Sequence, residues 1–297
     1  MQKPDVAAAR QIFQRAFGTA AGVADPDRYR ADNGMVPSRW RRDPETALVA
    51  EDRGVILGSN FVTIWGSHGF FGPLTVDPAH WNKGVAARLL AATMPIFEDR
   101  RIASPALYTL ANSPKHVELY RRFGFWPRFL TAITTRPAAR YPDAPEVTLF
   151  SDLGDAKREA ALQDLRALCG AQFAGLDPSG EVAALLDQGI GDKLILPDAM
   201  AVVHCGSGSE AGENRAFVKF AVAASASALG AILMAVLDHA ARQGLAEVET
   251  GTNLARTESY EVLAGLGFRP RLFGVAMHHG NDPLYNRPGV FVLDDWR

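Results

Sequence analysis

The stretch VDPAHWNKGVAARLL, Val76 to Leu90, places Gly84 and Ala86 where a strand-like run gives way to a helix-like one. The first turn of a helix carries N–H groups without intrahelical partners, together with the positive end of the helix dipole. That combination suits a pyrophosphate. Gly84 lets an anion approach the backbone, Ala86 keeps the first turn clear, and Lys83 adds a point charge. Short glycine motifs also occur in plain strand-to-helix loops, so the weight of this one depends on its surroundings. Other tempting features carry less. His278 and His279 are adjacent, and neighbours on a strand point to opposite faces, which makes a poor metal pair. CGSGSEAGEN is glycine-rich but lacks the Lys-Ser/Thr and helix of a phosphate loop, so it reads as a hairpin turn. Cys169 falls on a helical stripe with Leu162, Leu165 and Leu168, which predicts a buried, inert thiol. Arg39-Trp40-Arg41-Arg42 could meet an acidic group, but reads first as a solvated loop with one packed tryptophan.

The elements that must position Gly84 follow from hydrophobic periodicity. Ile12, Phe13, Ala16 and Phe17 form the core face of a first helix. Three apolar runs at roughly 46–51, 54–65 and 70–77, separated by turns at Glu51–Gly54 and Gly66–Gly69, predict three antiparallel strands. Val85, Ala86, Leu89, Leu90, Thr93, Met94 and Phe97 line one face of the next helix, which Pro95 should kink or shorten. A strand ALYTLA follows, and then a short helix with Ser113 as cap and Pro114 at its first position. Gly124-Phe125 ends that helix and starts another strand.

The sequence then repeats itself. Gly124-Phe-Trp-Pro-Arg128 returns as Gly267-Phe-Arg-Pro-Arg271, an offset of 143 residues. A helical stripe of Ala228, Leu229, Ile232, Leu233, Val236, Leu237 and Ala240 matches the first at the same offset. AMAVVHC and AFVKFAVA read as strands before it. AEVET and a helix from about Ala255 to Gly265 come after it. RPAARYPDAPE, with Pro137, Pro142 and Pro145, reads as a linker. The expected organisation is a first unit over 1–136, a linker over 137–146 and a second unit over 147–297.

The element order of the first unit resembles that of the GNAT superfamily of N-acetyltransferases, and two motifs strengthen the likeness. GPLTVDPAHWNKGVAARLL looks like the family's acetyl-CoA motif, with Trp81-Asn-Lys-Gly-Val-Ala86 in place of Gln/Arg-x-x-Gly-x-Gly/Ala. LANSPKHVELYRRFGF looks like the later motif, with Asn112 at a strand end and Tyr120 before Gly-Phe. The resemblance covers residues 5 to 136 well and 147 to 297 by element order alone. It implies an α/β fold of the α+β kind: two tandem GNAT-like domains, each a mixed, mainly antiparallel sheet flanked by helices. It also implies acetyl-CoA as co-substrate, held by Leu74, Thr75, Val76, Trp81, Asn82, Lys83, Gly84, Val85, Ala86, Asn112 and Tyr120. The amide near Val76 would stabilise the oxyanion and Tyr120 would protonate the leaving thiolate, its phenol being close in pKa to an alkyl thiol. Trp81 departs from the pattern: it keeps a backbone N–H but gives up a polar side chain. Glu51, His68, Asp77, Tyr108 and Glu118 are all candidate bases.

The second unit has lost these letters. Ser227 falls opposite Gly84, Leu229 opposite Ala86 and Leu263 opposite Tyr120, which predicts a degenerate copy. Asn253 after the fifth strand could mimic Asn112, and Tyr260 lies a turn before the expected acid. YNRPGVFVLDDWR reads as a final strand that covers or completes the sheet. The expected function is transfer of an acetyl group to a primary amine, of a small molecule or a protein. The alternative is a module that binds acetyl-CoA, or a metabolite, without transfer. Composition sets the outer bounds. The chain has 297 residues, 47% hydrophobic and 22% charged, with net charge −2 and no basic run, so no nucleic-acid footprint is expected. No apolar stretch is long enough to span a membrane, no secretory signal opens the chain, and two cysteines make no disulfide framework. A cytoplasmic setting is the simplest expectation.

Overall fold

The computed structural model describes residues 1–297. Eight helices flank one mixed sheet of thirteen strands. In the first half the order is α1 (Asp5–Ala21), α2 (Met35–Arg42), β1 (Ala47–Asp52), β2 (Val55–Trp65), β3 (His68–Phe71), β4 (Thr75–Val76), α3 (Val85–Asp99), β5 (Ser104–Leu110), α4 (Pro114–Arg121) and β6 (Phe125–Pro137). After β7 (Thr148–Leu149) come α5 (Asp155–Gln172), α6 (Ser179–Gln188), β8 (Gly191–Leu196), β9 (Ala199–Cys205), β10 (Arg215–Ala223), α7 (Ala226–Arg242), β11 (Glu247–Asn253), α8 (Thr257–Gly265), β12 (Arg269–His279) and β13 (Val292–Asp294).

The strand order is β1-β2-β3-β5-β12-β6-β11-β10-β9-β8-β7, with β4 on β2 and β13 on β10. The two echoed Gly-Phe-x-Pro-Arg segments therefore begin the two central strands, which run antiparallel from Phe125 opposite His279 to Thr135 opposite Arg269. Each starts from a glycine in the left-handed region, Gly124 at φ 84° and Gly267 at φ 86°. β12 pairs with β5 of the first half, and β6 pairs with β11 of the second. The halves thus exchange their late strands. The stretch between Pro137 and Glu146 divides the sequence but not the sheet.

Burial follows the predicted stripes closely. Every residue of the stripe from Ala228 to Ala240 is buried, as are Val85, Leu89, Leu90, Thr93 and Phe97 in α3. Ile12, Phe13 and Ala16 are buried, but Phe17 is exposed and rests its ring on Phe13 at 5.0 Å. Several expectations need correction. The helix runs through Pro95 to Asp99, because Pro95 is on the exposed side where the carbonyl it leaves unpaired can meet water. Ser113 does not cap α4, since its hydroxyl lies 2.7 Å from Nδ1 of His116 instead. The expected turn Gly66–Gly69 is tighter, with His68 and Gly69 already in β3. The strand expected over 70–77 is broken at Gly72-Pro73, where Pro73 offers no N–H to a ladder. Asn253 closes β11 rather than following it, and α8 starts at Thr257. Arg39 to Arg42 are not a solvated loop but the end of α2. Arg39 and Glu210 pair at 2.8 Å, both buried, and Arg42 pairs with Glu181. Those partners lie in the second half, out of reach of any local pattern.

Candidate active site

β3 and β5 pair in parallel only as far as Phe71 opposite Leu107. Beyond that level β4 stays on β2 while β5 continues along β12, so the sheet opens between Val76 and the end of β5. The N–H of Asp77 donates to the Leu57 carbonyl at 2.9 Å. Neighbouring residues of an antiparallel strand alternate, so the N–H and C=O of Val76 face the opening.

At the same opening α3 begins. Gly84 is its cap at φ 78°, preceded by Asn82 at φ 63°. None of the backbone N–H groups from Asn82 to Ala87 has a partner within the protein. A consecutive run of free donors at a helix start is an anion cradle. A Cβ on Gly84 would meet nothing within 4 Å, so the site is open, and what keeps glycine there is φ. Lys83 bends back to the Ala79 carbonyl at 2.9 Å. Asn82 accepts from Lys115 at 2.7 Å, a contact that ties the start of α3 to the start of α4 across the opening. Sequence reading missed Lys115, which carries no motif letter.

The remaining expected cofactor residues divide by position. Val76 packs with Val85 and Leu89, and Leu74 and Ala86 border that cluster. Thr75 is buried, its hydroxyl 3.1 Å from that of Ser59. Asn112 is exposed just past β5. The Trp81 indole N–H donates to the Val76 carbonyl at 2.8 Å, so the residue that departs from the motif reaches the strand edge facing the opening. Tyr120 lies under the sheet with Phe71, Phe125 and Leu90, its ring 5.6 Å from that of Phe71. Burial pushes its phenol up to about 12, and the hydroxyl has no hydrogen-bond partner within the protein.

The five candidate bases separate once their contacts are known. Glu51 is exposed and accepts from Gly54 within a hairpin turn. Asp77 accepts from Ala79 N–H at 2.9 Å and pairs with Arg15 at 2.8 Å. Glu118 is exposed, and its hydrogen bonds to Arg121 hold it at about 2. His68 is fully buried among Phe70, Trp296 and Tyr285, and burial takes it to about 3. Tyr108 alone keeps a free group near the opening: its hydroxyl is buried and unpartnered. Burial raises its pKa further, so it is a neutral donor or acceptor at ordinary pH.

The corresponding place in the second half is filled. β10 and β11 pair from Arg215 opposite Glu247 to Val218 opposite Thr250 and then part. β13 enters the gap, with Val292 to Asp294 on Val222 to Phe220. A Cβ on Gly251 would lie 2.7 Å from the Asp294 carbonyl, so β13 also presses on β11. The cap of α7 is Ser225, two positions before the residue that the 143 offset selects, and its hydroxyl accepts from Ala228 N–H at 3.2 Å. Leu229 and Leu263 are fully buried. No group of three His, Cys, Asp or Glu side chains could hold a metal, and no helix is long and apolar enough to cross a membrane. His278 is buried beside Asn286 while His279 is exposed, and Cys169 is buried with its thiol pushed up by burial.

Comparisons with known proteins agree with this geometry. Residues 6–125 match the family described as Acetyltransferase (GNAT) family. The fold resembles that of a Pyrococcus horikoshii protein assigned as an acetyltransferase, with TM-score 0.71 and 16% identity over 99% of this chain and 91% of that one. It also resembles a GCN5-related N-acetyltransferase from Sphaerobacter thermophilus, with TM-score 0.61 and 16% identity over 98% and 95%. At these identities the likeness is one of fold. No curated protein matches the chain in sequence.

Proposed function

We propose that the protein, whose residues 6–125 match the GNAT acetyltransferase family, is an acetyl-CoA-dependent N-acetyltransferase. In this reading residues 1–136 form the catalytic unit and 147–297 a degenerate copy of it. The observation that carries it is the run of unpartnered N–H groups from Asn82 to Ala87 beside an open sheet edge. In the second half a serine cap and β13 have closed the same place. The cradle fits a pyrophosphate, and the Val76 edge fits an extended amide-bearing chain.

The amine of the acceptor attacks the thioester carbonyl while both are held in the opening, which lowers the barrier by proximity. The Val76 N–H, turned toward the opening, is the donor for the developing oxyanion. Tyr120 protonates the departing thiolate: a phenol at about 12 stays protonated at neutral pH, and its hydroxyl has no other partner within the protein. Tyr120→Phe should therefore lower kcat by roughly 100-fold. Acetyl-CoA affinity by calorimetry should change little. The wild-type rate should show no loss of the acid form below about pH 11, given a phenol at about 12. A kcat unchanged by the substitution would remove Tyr120 from the chemistry.

Trp81 holds the Val76 carbonyl that an extended ligand would need. Trp81→Phe keeps the ring and deletes the donor. It should tighten acetyl-CoA binding by about fivefold, the worth of about 1 kcal/mol for one competing hydrogen bond. Weaker binding would mean that the indole supports the ligand rather than competing with it. Tight binding without turnover across an amine panel would favour the non-catalytic binding module.

A further inference from the structure

The loop between α1 and α2 folds back along α1 and ends on the other half of the chain. A Cβ on Gly18 would lie 2.6 Å from Cα of Pro26, so glycine lets the short turn Pro26–Arg28 settle there. Arg15 donates to Asp27 at 2.8 Å, and Arg10 donates to the Ala31 carbonyl. The same Arg15 donates to Asp77 at 2.8 Å, one residue beyond Val76. One guanidinium thus joins the loop to the strand end at the opening. The far end of the loop is held by the hairpin between β9 and β10. Gly208 N–H donates to the Asp32 carbonyl at 2.9 Å, the Asn33 amide to the Glu210 carbonyl at 2.6 Å, and Gly34 N–H to the Ser209 carbonyl at 2.7 Å. Glu213 N–H donates to the Asp32 carboxylate. A Cβ on Gly34 would overlap the Gly208 carbonyl, and one on Gly212, at φ 83°, would lie 2.7 Å from the Asp32 carboxylate. A glycine on each side makes this close approach possible.

The loop lies on the side of the sheet away from α3. Phe61 of β2 packs with Phe13 of α1 and Val36 of α2, while the next residue, Val62, packs with Leu90 of α3. Consecutive strand residues face opposite sides, so α1, α2 and their loop cover one face and α3 the other. A cofactor anchored by the free N–H groups at the start of α3 occupies the α3 side. The second reactant then meets it from the face that α1 and its loop border, with Asp27 and Arg15 at the rim beside Asp77. Val76 is held separately, since Asp77 N–H donates to the Leu57 carbonyl within the sheet.

We infer that the β9–β10 hairpin of the second half is a positioning element for acceptor binding in the first. Held by the hairpin, Asp32 fixes the loop over 25–34 as a wall of the opening, and Arg15 anchors the other end of that wall beside Asp77. The inference rests on the transferase reading of the opening. It gives the half whose own opening is filled by β13 a part in the reaction without contact with either reactant. Small displacements of such a wall matter, because a misplacement of about 1 Å can cost a reaction about 100-fold.

Asp32→Ala removes the acceptor of the Glu213 N–H, and Asp32→Asn keeps an oxygen in its place. The probes are acetyl-CoA with ethanolamine, benzylamine, glycinamide and glucosamine. For each amine that the wild type acetylates, Asp32→Ala should raise KM about tenfold, as loss of a charge-assisted hydrogen bond predicts. The kcat should stay within about twofold, the mark of lost binding rather than lost chemistry. Acetyl-CoA affinity by calorimetry should not move, because the cradle is on the other face. Asp32→Asn should restore most of the KM, and Gly212→Ala, a change in the second half alone, should raise it as Asp32→Ala does. Hydrogen exchange reads the same loop without substrate. In Asp32→Ala, faster exchange should extend from Asn33 back to Arg28 and Tyr29, next to Arg15, and spare α3. A fall in kcat with KM unchanged, or faster exchange confined to 31–34, would overturn the inference and leave Asp32 with a local role in folding. If the wild type acetylates none of the amines, the transferase reading suffers, and the exchange pattern decides the role of the hairpin by itself.

Discussion

Gly84→Glu should abolish acetyl-CoA binding, weakening it by 100-fold or more in calorimetry, while the protein stays folded. Two effects act together. The carboxylate would stand before the free N–H groups of Asn82 to Ala87 and take the place of the anion they suit. A Cβ at φ 78° adds a strain of about 1–2 kcal/mol. Space is not the obstacle, because nothing lies within 4 Å of a Cβ built there. Gly84→Ala isolates the strain, and should cost about thirtyfold in affinity at most, in line with about 2 kcal/mol. If Gly84→Glu still binds acetyl-CoA with full affinity at one site per chain, the cradle at α3 is not the cofactor site. Binding at two sites would reopen the second half, against the closure by Ser225 and β13.

The second large effect is on stability. Glu210→Ala should destabilise the protein by about 3–5 kcal/mol, the usual consequence of stranding buried charge. Glu210 is buried between Arg39 at 2.8 Å and Lys219 at 3.1 Å. Burial would raise the pKa of its carboxyl, but Arg39 and Lys219 hold it well below the usual range. Removing the carboxylate leaves two buried cations, one from each half of the chain. The melting temperature should fall by about 10 °C in a chain of this size. Replacing all three residues at once by apolar ones, Arg39→Met with Glu210→Leu and Lys219→Met, should cost less than the single change. The pH dependence has a definite sign. A carboxyl with a depressed folded pKa contributes stability above its unfolded value and loses it as pH falls toward the folded one. Wild type should thus lose stability in acid more steeply than Glu210→Gln. Parallel acid profiles would mean that Glu210 is not the charge that ties the halves together.

Much of the structure around the proposed site was legible because it is local. Gly84 and Ala86 announce a helix start through residue type and spacing, and Pro114 announces the next. Tyr120 falls on α4 by simple count. Ser227, Leu229 and Leu263 predicted a degenerate copy; in the structure Ser225 is the residue that caps the helix, and Leu229 and Leu263 are buried. What was missed depends on partners far along the chain. Arg39 and Arg42 read as solvent-facing because nothing nearby could neutralise them, and their partners are Glu210 and Glu181. Lys115 reaches Asn82 only because two helix starts flank one opening. Trp81 read as the loss of a polar side chain, yet folding turns its indole N–H onto Val76.

The sequence by itself determined most of the elements and the helix start at Gly84, because helix stripes, turns and caps are set by neighbours within a few residues. Only the tertiary structure decided how the two halves meet. Long-range pairing exchanged β6 and β12, put β13 into the second opening and left the first one free. Strand edges accept any well-registered partner, so which strand fills which gap is settled by the packing of the whole sheet rather than by the strand's own letters.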